Sequence, residues 1–207
     1  MNKLITFEGI DGSGKSTQIK LLCEKFDELG IQYVSVREPG GTQISEKIRD
    51  ILLDKENLEL SSTAESLLFL SARSQLVSEI IRPALKENKF VICDRYTDST
   101  LAYQGYGRGI DTKLLRMLND YATTKLIPEL TFIVDIDENT SSQRRKDFVE
   151  DRMEAGGMEF LSRITQGYRK IVSEEPERCF IIDGSADKPI IFNQIWKIIN
   201  EKYQDTK

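Results

Sequence analysis

Gly9-Ile10-Asp11-Gly12-Ser13-Gly14-Lys15-Ser16-Thr17 fits the pattern G-x-x-x-x-G-K-[ST], the phosphate-binding loop known as a P-loop. Its flanks decide the fold. Before it, Leu4-Ile5-Thr6-Phe7 is a short apolar, β-prone run that predicts a buried strand. After it, Ile19, Leu21, Leu22, Phe26 and Leu29 recur at helical spacing, and Gly30 is placed to stop the helix. Strand, glycine loop and helix start are the parts that phosphate binding needs. The glycines let main-chain N–H groups turn inward on a triphosphate, and the helix N-terminus adds a partial positive charge. In that frame Lys15 reaches the β- and γ-phosphates and the Ser16 hydroxyl sits on Mg²⁺. A chance glycine turn with a surface lysine would need neither flank. The stretch predicts binding of a nucleoside triphosphate.

Working outward, strand-like runs at 3–7, 32–36, 90–94, 130–136 and 179–183 alternate with helical patterns. The helices are expected at 16–29, 43–54, 63–87, 111–125, 158–174 and 188–203. This alternation predicts a five-stranded parallel sheet with helices on both faces, in a single domain over 1–207. Such sheets bind ligands beyond the carboxyl ends of their strands. The chemistry-bearing residues do follow the strands: the P-loop after the first, Arg37-Glu38-Pro39-Gly40-Gly41-Thr42 after the second, Arg95-Tyr96-Thr97-Asp98-Ser99 after the third. The segment 138–157 breaks the pattern. Arg144, Arg145, Lys146 and Arg152 stand there among Asp147, Glu150, Asp151 and Glu154, ahead of Gly156-Gly157. It reads either as a solvated helix and turn or as a mobile lid carrying arginines.

Composition narrows the choice. A formal net charge of −5 over 207 residues argues against a nucleic-acid coat or a membrane-surface protein. Any polyanion must be held by local arginines and lysines. No apolar run approaches the roughly 20 residues of a membrane span, and no signal peptide is evident. Cys23, Cys93 and Cys179 are scattered, which predicts reduced thiols in a cytoplasmic protein, with Cys93 a packing residue. The chain has no histidine, which removes Ser-His-Asp and Cys-His chemistry and histidine-ligated metals together.

The other strand ends discriminate among P-loop classes. A switch GTPase would carry an N/T-K-x-D guanine-reading segment, and none is present. Asp94 ends the third strand and is a natural acidic partner for Mg²⁺ beside the P-loop, with Arg95 able to grip a phosphate bidentately. Asp135 is a rival acid that lacks an adjoining arginine. Arg37-Glu38-Pro39-Gly40-Gly41 is either a tight connection or a wall against a second substrate, and Arg49 is either a second phosphate contact or an exposed helix residue. Phe69 and Arg73, four apart, project from one helix face. Periodicity alone favours a core phenylalanine and a surface arginine; a base pocket completed by Tyr103 and Gln104 is the sharper reading.

The segments F-E-G-I-D-G-S-G-K-S-T, R-E-P-G-G-T, Phe69 with Arg73, D-R-Y-T-D-S-T-L-A-Y-Q-G and the arginine-bearing lid resemble, in order and spacing, the thymidylate kinase family. The match runs from about residue 3 to 175. The resemblance implies transfer of a phosphoryl group from Mg-ATP to dTMP, in dTTP biosynthesis, by a homodimer. Position by position it implies that Gly9 to Thr17, with Arg144, hold ATP, and that Ser16 and Asp94 serve the metal. Asp11 would face the sugar, Pro39 would wall the acceptor, and Arg49 and Arg95 would grip the dTMP phosphate. Phe69 would stack on thymine, Arg73 would donate to its 4-carbonyl, Thr100 and Gln104 would line the base, and Tyr103 would crowd a ribose 2′-hydroxyl. No arginine lies among Ile10 to Ser13, so the chain looks like the bacterial branch with its extra arginine in the lid. The lid spacing leaves open which of Arg144, Arg145 and Arg152 meets the transferred phosphoryl group; Arg152, in Asp151-Arg152-Met153-Glu154, matches best. The alternatives are a deoxynucleoside kinase acting on a 5′-hydroxyl and a P-loop switch ATPase that works through a protein partner.

Overall fold

The structure is a computed structural model that describes residues 2–146, 152–153 and 156–204. Five parallel strands, β1 (Leu4–Glu8), β2 (Tyr33–Arg37), β3 (Phe90–Asp94), β4 (Leu130–Asp135) and β5 (Cys179–Asp183), lie in the order β2-β3-β1-β4-β5. β1 is central, paired with β3 on one side and β4 on the other, so every one of its residues is buried. That fits its mostly apolar run Leu4-Ile5-Thr6-Phe7: a strand covered on both faces has no solvent side, and its two polar members, Thr6 and Glu8, are buried and hydrogen-bonded within the protein. The edge strand β2, Tyr-Val-Ser-Val-Arg, has Tyr33, Val34 and Val36 half-buried and Ser35 and Arg37 exposed, the mixed composition of an edge.

The connection after β1 runs toward β2, whereas the connection after β3 crosses β1 to reach β4. The chain therefore reverses direction across the sheet next to the carboxyl end of β1, where a crevice opens and the P-loop stands. One face of the sheet is covered by α1 (Lys15–Glu28) and α9 (Lys188–Gln204), with Leu22, Phe26, Ile195 and Ile199 packed on Ile5, Phe7, Ile92 and Phe132. Trp196 joins this layer edge-on to Phe26. The other face carries two clusters. Leu76, Val77 and Ile81 meet Leu4, Val91 and Cys93, while Phe160, Ile164, Tyr168 and Ile171 of α8 (Gly157–Glu174) meet Ile133. All three cysteines are free, and Cys93 is buried among packing residues.

The helix expected over 63–87 is α3 (Ser62–Leu76), a π-helical turn at Val77–Ile81 and α4 (Arg82–Lys86). Pro83 accounts for the widening: it has no N–H to offer the turn before it, and its ring presses on that turn. After β3 comes a feature that apolar periodicity did not predict. α5 (Thr97–Thr100) runs into a second π-helical turn, Leu101–Gly107, which sets Thr100, Tyr103 and Gln104 on one side. α2 (Gln43–Leu53), α6 (Thr112–Thr123) and α7 (Glu138–Arg144) complete the chain. α7 fills part of the charged segment expected as a lid over 138–157; Asp147, Glu150, Asp151 and Glu154 lie outside the described residues.

Candidate active site

The helices differ in how they begin. Thr42, Ser61, Asp111 and Asp137 each cap their own helix with a side-chain oxygen, whereas α1 starts at Gly14 with no side-chain cap. Its first N–H groups are left open for an external anion. Gly9 cannot be replaced: at φ 132° a Cβ there would lie 2.4 Å from the Val134 carbonyl oxygen. Behind the loop, the Lys15 ammonium donates to the carbonyls of Gly9 (3.0 Å) and Ile10 (3.1 Å). Burial, then the Arg95 charge, lowers its pKa. Ser13 Oγ is buried with no hydrogen-bond partner among the described residues.

Asp11 to Gln18 line the basin over this loop, closed by Arg144, Arg145 and the segment Gly184–Lys188. Two expectations need correction here. Gly9 and Ile10 do not line the basin: Ile10 is a core residue, 2% exposed, and both contribute main-chain carbonyls to Lys15. Arg144 does line it, bridging the Gly12 carbonyl (3.3 Å) and the Gly184 carbonyl (3.0 Å). Arg145, one of the lid arginines, lines it as well; Gln18 and Gly184–Lys188 were not foreseen, because no local motif marks a loop that meets the site only through the sheet.

Ser16 Oγ donates to Asp94 Oδ2 at 3.2 Å. Neighbouring oxygens of an octahedral Mg²⁺, each about 2.1 Å from the metal, are separated by about 3.0 Å, so this hydroxyl–carboxylate pair fits that ion. No group of three or more His, Cys, Asp or Glu among the described residues could hold a metal by itself, so an ion here would need ligands from outside the chain. The rival Asp135 is engaged by Arg169 at 2.9 Å.

A second pocket opens from the same aspartate. Its walls are Asp11, Pro39, Arg49, Phe69, Arg73, Arg95, Thr100, Tyr103 and Gln104, joined by Glu38 and Ser99, which the motif stretches contain without a role of their own, and by Leu53 and Met153, which sequence reading missed. Arg95 leaves β3 with φ 68°, a strained conformation for a residue with a side chain. Its guanidinium donates to Asp11 Oδ1 at 2.7 Å and lies 5.0 Å over the Tyr103 ring. Burial works to raise the Asp11 pKa, but Arg95 and Lys15 hold that carboxyl well below the usual range. Beneath Arg95, the buried Glu8 accepts from the Tyr96 amide, the Ser99 hydroxyl and the Tyr168 hydroxyl. Burial and the charge of Asp98 push Glu8 up to about 7.

Arg73 overturns the expectation of a surface residue. It is 2% exposed, with Nε on Glu38 (2.7 Å), Nη1 on Thr100 and Asn119, and Nη2 on the Tyr96 carbonyl. Four of its five N–H groups are thereby used, and one remains. Phe69 is the partly exposed member of the pair. The other correction concerns Arg152. It does not line the phosphate basin; it is buried, with Nε on the Leu52 carbonyl (2.7 Å) and Nη1 on Glu65 (2.7 Å). Two orphan carbonyls at the end of α2 and a buried carboxylate draw it there, since its backbone N–H also reaches Leu53.

A phosphate-cradling loop and a cation-walled pocket that share one aspartate are arranged to bring two phosphates end to end, and with this sheet they define a P-loop kinase of nucleotide acceptors. The family profile described as thymidylate kinase matches residues 7–195. The thymidylate kinase of Pelotomaculum thermopropionicum is 44% identical over 201 residues, 96% of this chain and 93% of that protein. That of Caldanaerobacter subterraneus subsp. tengcongensis is 42% identical over 205 residues, 99% of this chain and 98% of that protein. The crystal structure of thymidylate kinase from Ehrlichia chaffeensis superposes with a TM-score of 0.79 at 39% identity, covering 95% of this chain and 97% of that one. The chain belongs to the thymidylate kinase family.

Proposed function

We infer that the chain is a thymidylate kinase that transfers the γ-phosphoryl group of ATP to the phosphate of dTMP, giving dTDP and ADP. The observation that carries this is one pocket holding Arg95 against Asp11 together with Phe69 and the buried Arg73. A phosphate monoester has its second pKa near about 6, so the acceptor is already a dianionic nucleophile at neutral pH. No side-chain base is required, in keeping with a chain that lacks histidine. The protein must instead align two polyanions and spread the developing charge. Lys15 and the open amides of α1 serve the ATP phosphates, Arg49 and Arg95 the acceptor phosphate. Arg144 or Arg145, rather than Arg152, serves the transferred group, a reading supported by their lining the phosphate basin. Ser16 and Asp94 would hold Mg²⁺, which would supply neutralisation of phosphate charge when bound.

The chain acts as one domain with a lid near 138–157 that excludes water once both substrates are bound. The cytoplasm suits its free thiols, and no helix among the described residues is long and apolar enough to cross a membrane. A homodimer is supported by Leu114, Met117 and Tyr121, an exposed apolar stripe on α6. The test follows ADP release with dTMP, dUMP, dCMP, dGMP and thymidine as acceptors. Turnover with dTMP is expected; equal ATP consumption without any monophosphate, or a preference for thymidine, overturns the reading.

A further inference from the structure

Glu65 lies one helical turn before Phe69 and two before Arg73, on the face of α3 that walls the acceptor pocket. It is 1% exposed, and cationic or amide donors from three other places converge on it. Gln104 Nε2 donates to Oε1 at 2.9 Å; Arg108 reaches Oε1 and Oε2 at 3.3 and 3.2 Å; Arg152 Nη1 meets Oε2 at 2.7 Å. These contacts fill the four lone-pair sites of a carboxylate. A carboxylate facing two guanidinium groups can only accept, so the arm of the Gln104 amide turned toward it must be the NH₂. The carbonyl arm is left for the pocket that Gln104 lines.

Beside it, the Thr100 hydroxyl accepts from Arg73 and keeps its own hydrogen to give, and Arg73 keeps one N–H. The pocket edge thus presents donors at one position and an acceptor at the next. Thymine offers an acceptor, O4, beside a donor, N3–H. Cytosine reverses both. We propose that Glu65 is a specificity-determining positioning residue, which selects thymine over cytosine by fixing which arm of the Gln104 amide faces the base. Arg152 acts through it, latching itself and the neighbouring Met153 onto the end of α2 and the first turn of α3. The proposal rests on dTMP being the acceptor.

The experiment compares kcat/KM for dTMP, dUMP and dCMP in wild type and Glu65→Gln, whose neutral amide lets Gln104 turn over. The dTMP-to-dCMP ratio is expected to fall about tenfold or more. The dTMP-to-dUMP ratio is expected to hold, because uracil has the same polar edge as thymine. A merely structural role would lower all three together. A dTMP-to-dCMP ratio unchanged within about twofold overturns the proposal. The swap Glu65→Gln/Gln104→Glu restores an amide–carboxylate pair with an acceptor toward the base, and is expected to recover most of the ratio; failure to recover counts against the idea. Arg152→Met is expected to raise the KM for dTMP more than it lowers kcat, and a loss confined to kcat overturns the latch. Wild-type turnover of dTMP is the control that separates these outcomes from failure of the functional reading.

Discussion

Around the P-loop the groups that shape the phosphate basin are largely main chain: open amides at the start of α1 and, behind them, carbonyls that hold the Lys15 and Arg144 side chains. The acceptor pocket is made of side chains that hold one another. Glu38 orients Arg73, Glu65 orients Gln104, Asp11 orients Arg95, and Glu8 underpins Ser99 and Tyr168. The contrast follows from what each half must recognise. A triphosphate is the same in every nucleotide and can be held by N–H groups in a fixed turn, whereas a base is told apart only by particular donors and acceptors. The first half tolerates change in its surroundings; the second is a mutual network in which removing one member strands another.

The largest test of this contrast is Lys15→Ala. The side chain serves charge stabilisation rather than folding, so turnover is expected to fall by about 10³ or more with little change in dTMP affinity measured by calorimetry. A loss under about tenfold would erase the difference between the halves. Next comes Arg73→Ala, which leaves the buried Glu38 without its partner. Breaking such a pair costs about 3–5 kcal/mol, so the melting temperature should drop by many degrees while the preference for dTMP over dCMP erodes.

Glu8 provides a pH test of the same network. Its folded pKa is raised from 4.5 to about 7, so the folded state binds the proton more tightly than the unfolded chain. Its contribution to stability is full below about pH 4.5 and is lost as pH rises through about 7, a change of about 3 kcal/mol. Glu8→Gln should flatten that part of the stability profile from denaturant titrations; an unchanged slope would assign it to other groups. The smallest effect is expected at Arg169→Ala. Arg169 is half exposed in its pair with Asp135, away from both pockets, so stability should change by less than about 1 kcal/mol. A large loss of activity there would restore Asp135 as a rival to Asp94.

Strand and helix positions were legible because the central strands are mostly apolar runs and the outer helices repeat at their own period. The π-helical turn at Leu101–Gly107 was not, since its residues face a polar pocket and carry no apolar rhythm. The pocket list read from the motifs is the one that lines the cavity, but Glu38, Ser99 and Met153 needed the fold, being neighbours of motif residues without a spacing of their own. Glu65 was within reach, since 65, 69 and 73 step at four residues along one face, but an acid on a helix belongs to no motif of its own. Arg152 shows the opposite failure, where a good local match was outbid by a buried carboxylate far away in sequence.

By itself the sequence determined the donor half, because a P-loop is a contiguous run whose turn, helix start and lysine are all local. Only the tertiary structure decided which arginines are buried, which acid pairs with which cation, and which arm of an amide meets the base. Those choices depend on groups from separate helices and strands competing for the same few lone pairs away from water, and no stretch of chain carries that competition alone.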